Sequence, residues 1–341
     1  MSRRCTISKL RPMAFADLRQ LRTSCRAVAL LLIVGLFVRA AFAAEKPEKL
    51  RIAYITISGS MAALWTAAAA GAFQKEALDV ELVYIQANAA IAAVLAGEVD
   101  AVEISAPGIV PVVLAGGNLT MIAGLLNKMI YSLHAQKEIK TAAQLRGKVV
   151  GTDRIGSPGN YGVRTTLVKL GLNPDSDVKL LAVGGLENRW PALISGQIAA
   201  AGLTPPVSFK ADAHGFSRLI DTYDLPYQNV GLIVRKNEVE KRAAVWLRLL
   251  RAVRNGIDVW YDNPPVAKSV LAKYTKESDS VMLDKTYEFF TKQAGFNREL
   301  SFTDRGFGQI LKFLGGTILP AAKDAPVSQF YDTRILDKLK K

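Results

Sequence analysis

The chain has 341 residues, half of them apolar, with 44 Lys and Arg against 30 Asp and Glu, a net charge of +14, and two cysteines. Eight of those basic residues and one acid lie in residues 1–43, so the remainder carries 36 against 29, a net +7. That charge forms no Arg/Lys stripe with interleaved aromatics, which speaks against nucleic acid as a partner, and its mild positive field favours encounter with anionic solutes.

The first predicted element is a leader. Residues 1–26 carry Arg3, Arg4, Lys9, Arg11, Arg19, Arg22 and Arg26 against Asp17 alone; an apolar run over 27–38 follows, then Ala41-Phe42-Ala43 with the small-x-small spacing that a signal peptidase accepts. The run's 12 residues are too few to span ~30 Å of hydrocarbon, which takes about 20. Order and length predict an export signal cleaved after Ala43 and a periplasmic product. The long basic stretch leaves two readings, a start at Met13 or a twin-arginine element at Ser2-Arg3-Arg4. Cys5 and Cys25 both precede the apolar run, so the rest of the chain has no thiol for a disulfide, a nucleophile, a metal or a lipid anchor.

The 298 residues after Ala43 suggest two domains of ~100–200 residues each. Residues 50–55 are strand-like and lead through Ser58-Gly59-Ser60 into an Ala-rich helix ending near Gly71. A strand over 79–83 follows, then a helix end at Gly97 and a new strand closed by Ser105-Ala106-Pro107. The same signals recur at 148–151, Ser157-Pro158-Gly159-Asn160, Gly171, 177–181, Gly196 and Thr204-Pro205-Pro206. Gly97 and Gly196 stand 99 positions apart, Asp79 and Asp177 98 apart, so a β-α-β-α-β unit occurs twice. A glycine suits the left-handed cap that stops a helix. Strands alternating with helices predict parallel sheets with helices on both faces.

Extended apolar segments at 119–126 and 130–136 are fit to carry the chain into a second lobe, and 230–234 to carry it back. The predicted division is 44–132 with 230–341 as lobe one and 133–229 as lobe two. The tail reads as helices: 240–260 has Val245, Leu249, Leu250, Val253 and Ile257 on one 3.6-residue period, and helices near 265–274, 283–290 and 307–313 are predicted to pack on the first lobe.

In open α/β sheets ligands sit beyond the carboxyl ends of the strands. The repeat puts those ends at 56–60, 86–88 and Ser105 in one lobe and at 155–161, 184–189 and Thr204 in the other. The candidate ligand contacts are Ser58, Gly59, Ser60, Asn88, Ser105, Ser157, Gly159, Asn160, Tyr161, Arg189 and Thr204. Ser105 and Thr204 are a hydroxyl at matching places of both repeats. Ser60 and Ser157-Pro158 open helices whose first N–H groups suit an anion, though each serine also reads as a simple cap. Tyr161 offers a stacking face, Trp65 reads as packing, and Arg154 or Arg189 could clamp a carboxylate or sulfonate.

Catalysis has little footing. His134 and His214 are the only histidines and adjoin no nucleophile loop, and no zinc-protease, nucleophile-elbow or phosphate-loop motif occurs. No cofactor and no metal are predicted.

The strand at 51–55 with its Ser-rich loop, the element Leu95-Ala96-Gly97-Glu98-Val99-Asp100-Ala101, and residues 143–151 resemble the periplasmic substrate-binding components of ABC importers for nitrate, sulfonates and taurine, a group similar to the thiamine-pyrimidine-precursor binding proteins. The resemblance implies an α/β, type II periplasmic-binding-protein fold, two lobes joined by two crossover strands, with a small ligand closed between them. It further implies a monomer without enzyme activity that serves an ABC permease and ATPase complex. Family ligand positions map onto Ser58, Ser105 and the Ser157 loop. Ala199 departs from the pattern, since the first repeat has Asp100 there. Two other readings stay open: an enzyme of the fungal pyrimidine-synthase type on the same fold, or a periplasmic sensor module.

Overall fold

The computed structural model describes residues 47–340; the predicted leader and its cleavage site lie outside them. The chain opens with strand β1 (Glu48–Tyr54), followed by helix α1 (Ala62–Ala69), β2 (Leu78–Tyr84), α2 (Ala87–Ala96) and β3 (Ala101–Ile104). Two strands then run nearly end to end, β4 (Leu119–Lys128) and β5 (Ser132–Ala135). The second unit repeats the first: β6 (Val149–Thr152), α3 (Pro158–Lys169), β7 (Lys179–Ala182), α4 (Leu186–Ile194) and β8 (Ala200–Leu203). Helix α5 (Val207–Ala213), β9 (Ser217–Asp221) and β10 (Pro226–Arg235) close it.

The strands form two five-stranded sheets, ordered β2-β1-β3-β10-β4 and β7-β6-β8-β5-β9. Within each repeat the pairing is parallel, β1 with β2 and β3, β6 with β7 and β8. The sheets are nonetheless mixed rather than parallel as predicted. The crossing segments themselves become strands: β10 pairs antiparallel with β3 and β4, and β5 pairs antiparallel with β8 and β9. The result is the two-lobed α/β architecture that the resemblance implies.

Alternation along the strands sorts side chains to two faces. In β1, Leu50 and Ile52 enter one core cluster with Trp65 and Trp246, while Ala53 enters a second with Val102, Ile104 and Phe307. The repeat's glycines do what the pattern asks of them: Gly97 and Gly196 stand at φ +84° and +76°, a region closed to most side chains, and each follows the end of its helix.

The tail begins with α6 (Ala243–Asp262), which buries Trp246, Leu249, Leu250, Val253, Ile257 and Trp260 on one face. Each large apolar side chain so buried contributes about 1.5–3 kcal/mol. Its axis comes so near α1 that a methyl on Gly256 would stand 2.6 Å from the Ala67 Cα, which leaves no room for a side chain at position 256. Helices α7 (Pro264–Thr275), α8 (Ser280–Glu288) and α9 (Asp304–Thr317) follow. Their packing is not confined to the first lobe. Glu277, just before α8, pairs with Lys210 of α5 at 2.7 Å, and Phe313 of α9 meets the edge of Tyr161 at 5.0 Å. No helix among the described residues is long and apolar enough to cross a membrane.

Candidate functional site

Both repeats aim the carboxyl ends of their parallel strands at one cavity of about 490 Å3. Its wall takes Thr56, Ser58 and Ser60 after β1, Tyr84, Gln86 and Asn88 at β2, and Ser105 after β3. The facing wall takes Asp153, Arg154 and Ser157 after β6, residues 184–189 after β7, and Thr204 after β8. The crossing segments supply Ile130, Tyr131, Asn229 and Val230 between them. Of the eleven predicted contacts, Ser58, Ser60, Asn88, Ser105, Ser157, Arg189 and Thr204 line this cavity.

The serine loop after β1 caps a short helical turn. Ser58 Oγ accepts the Ser60 amide at 3.4 Å, donates to the Pro205 carbonyl at 3.3 Å, and lies 3.4 Å from Thr204 Oγ1. One hydroxyl of the first repeat thus touches the Thr204-Pro205 loop of the second across the cleft. The hydroxyls of Ser60 and Ser105, both buried, make no hydrogen bond within the described residues and are left for another partner. Ahead of α2, Gln86 makes no side-chain cap, and the first turn holds no acid.

The second repeat differs. Ser157 Oγ accepts the Asn160 amide at 3.1 Å and donates to Asp153, whose other oxygen accepts the Gly159 amide at 3.3 Å. The amino end of α3, predicted to offer open N–H groups to an anion, is already occupied by the chain's own carboxylate. Arg189 is buried at 2 % exposure; one of its Nη groups donates to the Gly202 carbonyl, while its Nε is without a partner among the described residues. Its guanidinium lies 5.8 Å from the centre of the Tyr131 ring. Burial pushes the Tyr131 hydroxyl well above its ordinary range; the Asp153 charge adds to this and Arg189 opposes it.

Four predicted contacts do not reach the cavity wall. Gly59 is pressed against Phe290, whose ring would stand 2.5 Å from an added Cβ. Gly159 is covered on its Cα by the Asp153 carboxylate. Asn160 turns its side-chain carbonyl to the Gly156 amide at 3.2 Å and faces a neighbouring groove. Tyr161 stacks on Tyr227 at 4.9 Å and belongs to the core. Trp65 is packing, stacked on Tyr274 at 4.4 Å with the rings 3° from parallel. The residues that sequence reasoning did not single out are Tyr84, Tyr131, Asp153, Glu187, Asn188 and Asn229. Asp153 carried a readable signal: an acid between a strand end and a Ser-Pro helix start.

Beneath the first wall lies Glu103 of β3, fully buried with both carboxyl oxygens unpartnered among the described residues. Burial pushes its acid well above the usual carboxyl range, disfavouring the charged form. The histidines stand elsewhere: His134 Nε2 is 2.9 Å from Asp212 and His214 Nδ1 2.8 Å from the Lys210 carbonyl, and neither lines the cavity.

The model of the NMT1/THI5-like family matches residues 58–267. The chain belongs to the NMT1/THI5-like family. Among solved structures this family member is similar to the alkanesulfonate-binding protein SsuA from Xanthomonas axonopodis pv. citri bound to MOPS, at 16% identity over 85% of this chain and 100% of that one, with a TM-score of 0.70. It is similar also to the periplasmic aliphatic sulphonate-binding protein SsuA from Escherichia coli, at 18% identity over 84% and 92% and a TM-score of 0.69. A third is the periplasmic nitrate-binding protein NrtA from Synechocystis PCC 6803, at 15% identity over 85% of each chain and a TM-score of 0.66. At these identities the likeness carries the fold. No curated protein matches the chain by sequence.

Proposed function

We propose that the chain is a periplasmic solute-binding protein that closes its two lobes over a small organic anion, of sulfonate, taurine, nitrate or carboxylate type, or over a pyrimidine-like solute, and delivers it to an ABC permease and ATPase complex. The observation that carries this reading is the 490 Å3 cavity, walled by the strand ends of both repeats and bridged by Ser58 and Thr204. Cavities of about 300–1,000 Å3 suit small molecules. Structural relatives named for binding sulfonates and nitrate support the solute class.

Energetics favour closure over any single contact. Micromolar binding needs about 8 kcal/mol, while one helix terminus gives ~0.3–1 kcal/mol. The hydroxyls of Ser60 and Ser105 and the Nε of Arg189, without partners among the described residues, have to converge on one ligand, which the closed cleft allows. The reading is non-enzymatic: both histidines are engaged away from the cavity.

Mass spectrometry of ligand released from the purified protein tests the proposal, followed by calorimetry on stripped protein. A small anion or heterocycle at one equivalent is the expected result. A protein that copurifies with nothing and is not stabilised by any sulfonate, carboxylate, nitrate or pyrimidine would overturn it.

A further inference from the structure

We infer that the cavity selects solutes bearing a protonated nitrogen together with an anionic group, with Asp153 and Glu187 as the selecting residues. This rests on the solute-binding reading above and names the ligand class within it.

Two helix starts of the second repeat reach the cavity, α3 and α4, and an anion would ordinarily seek the N–H groups there. The start of α3 already binds a carboxylate of the chain, and another stands beside the start of α4. Asp153 takes the Gly159 amide at 3.3 Å and the Ser157 hydroxyl. Glu187 sits in the first turn of α4, and its carboxylate folds over the Cα of Gly185. A bare anion entering from this side meets two like charges.

The same wall keeps cationic capacity to spare. Arg189 is buried with its Nε unpartnered among the described residues, and Arg154 is exposed without an ion pair there. Asp153, Glu187, Arg154 and Arg189 all line the one 490 Å3 cavity, so the opposite charges stand within reach of one small molecule. The facing wall, from the first repeat, contributes no charged side chain to the cavity. Two acids and two arginines on one side of a neutral cleft form a dipolar surface, and a zwitterion complements both halves where a simple anion complements one.

The test uses matched compounds differing only in the cationic nitrogen, titrated by calorimetry into ligand-stripped full-length protein. The pairs are taurine with propane-1-sulfonate, 3-aminopropanoate with butanoate, and MOPS with 3-(oxan-4-yl)propane-1-sulfonate. The nitrogen-bearing member of at least one pair should bind at least tenfold tighter. Asp153→Asn and Glu187→Gln should each lower that ratio at least threefold. Glu187 is exposed, so its variant keeps the test standing if Asp153→Asn fails to fold. Equal or tighter binding of the nitrogen-free member in every pair that binds overturns the inference and leaves the solute-binding reading intact. An unchanged ratio in both variants overturns the assignment to these residues. Silence from every compound overturns the organic-anion reading, and this inference with it.

Discussion

The two repeats share one scaffold and furnish it in opposite ways. The first offers the cavity hydroxyls, amides and a phenol, with no charged side chain; the second offers Asp153, Arg154, Glu187 and Arg189. The contrast continues below the surface at equivalent positions, 99 residues apart, where β3 has Glu103 and β8 has Gly202. In the first lobe an acid unpartnered among the described residues is sealed under the cleft; in the second the glycine's carbonyl is the anchor for a buried arginine. Duplication therefore fixes where a ligand can sit, while the choice of ligand rests on side chains that diverged between the copies.

The strongest way to break that comparison is to fill the one place where the repeats agree. Ser105→Trp and Thr204→Trp should each abolish ligand binding, by at least 100-fold, or about 2.8 kcal/mol at tenfold per 1.4 kcal/mol. Circular dichroism and the melting temperature without ligand should stay close to those of the parent, since both residues border open space. Unchanged affinity in both variants would place the site elsewhere.

A smaller effect sharpens the difference between the walls. Arg189→Met should weaken binding by roughly 10–100-fold, because a hydrogen bond to a charged group is worth about 1.5–3 kcal/mol. Ser60→Ala, on the neutral wall, should cost no more than about tenfold, the ~0.5–1.5 kcal/mol of an uncharged bond. Calorimetry on both reads the comparison directly, and a larger loss at Ser60 than at Arg189 would invert it.

The mildest effect concerns the buried acid. In the unfolded chain Glu103 has the ordinary carboxyl value of about 4.5, and in the folded chain burial pushes it well above that. Between those values the unfolded chain releases a proton that the folded chain keeps, so this residue's contribution to stability is fully present below about pH 4.5 and is lost as pH rises towards the folded value. Glu103→Gln has no proton to lose. Its melting temperature should gain on the parent's steadily as pH rises from 4.5, by a few degrees. Parallel melting curves across pH 4–8 would show that the acid is not held neutral.

Much of the scaffold was legible because it repeats. Gly97 and Gly196 announced the helix ends, and the strand ends followed from them, bringing seven of the eleven predicted contacts to the cavity. What escaped was direction and partnership. Ser157 and Tyr161 are four residues apart, near one another on the helix, yet Ser157 turns to the cavity while Tyr161 enters the core against Tyr227 and Phe313. Asp153 was hidden by the prominence of the Ser-Pro start that it serves. The mixed character of the sheets was beyond reach for another reason: 230–234 reads as extended from its own residues, but which strands it joins depends on chain far away.

That placement of β10 has a consequence for how the molecule is made. β10 lies between β3 and β4, which precede it by the whole of the second sheet. Until β10 is in place, β3 and β4 lack the strand that joins them, and the edges that face it stay unpaired. The second sheet can assemble from contiguous chain; the first must wait for a long-range insertion, the slow kind of pairing. The lobe begun first is the last to be finished.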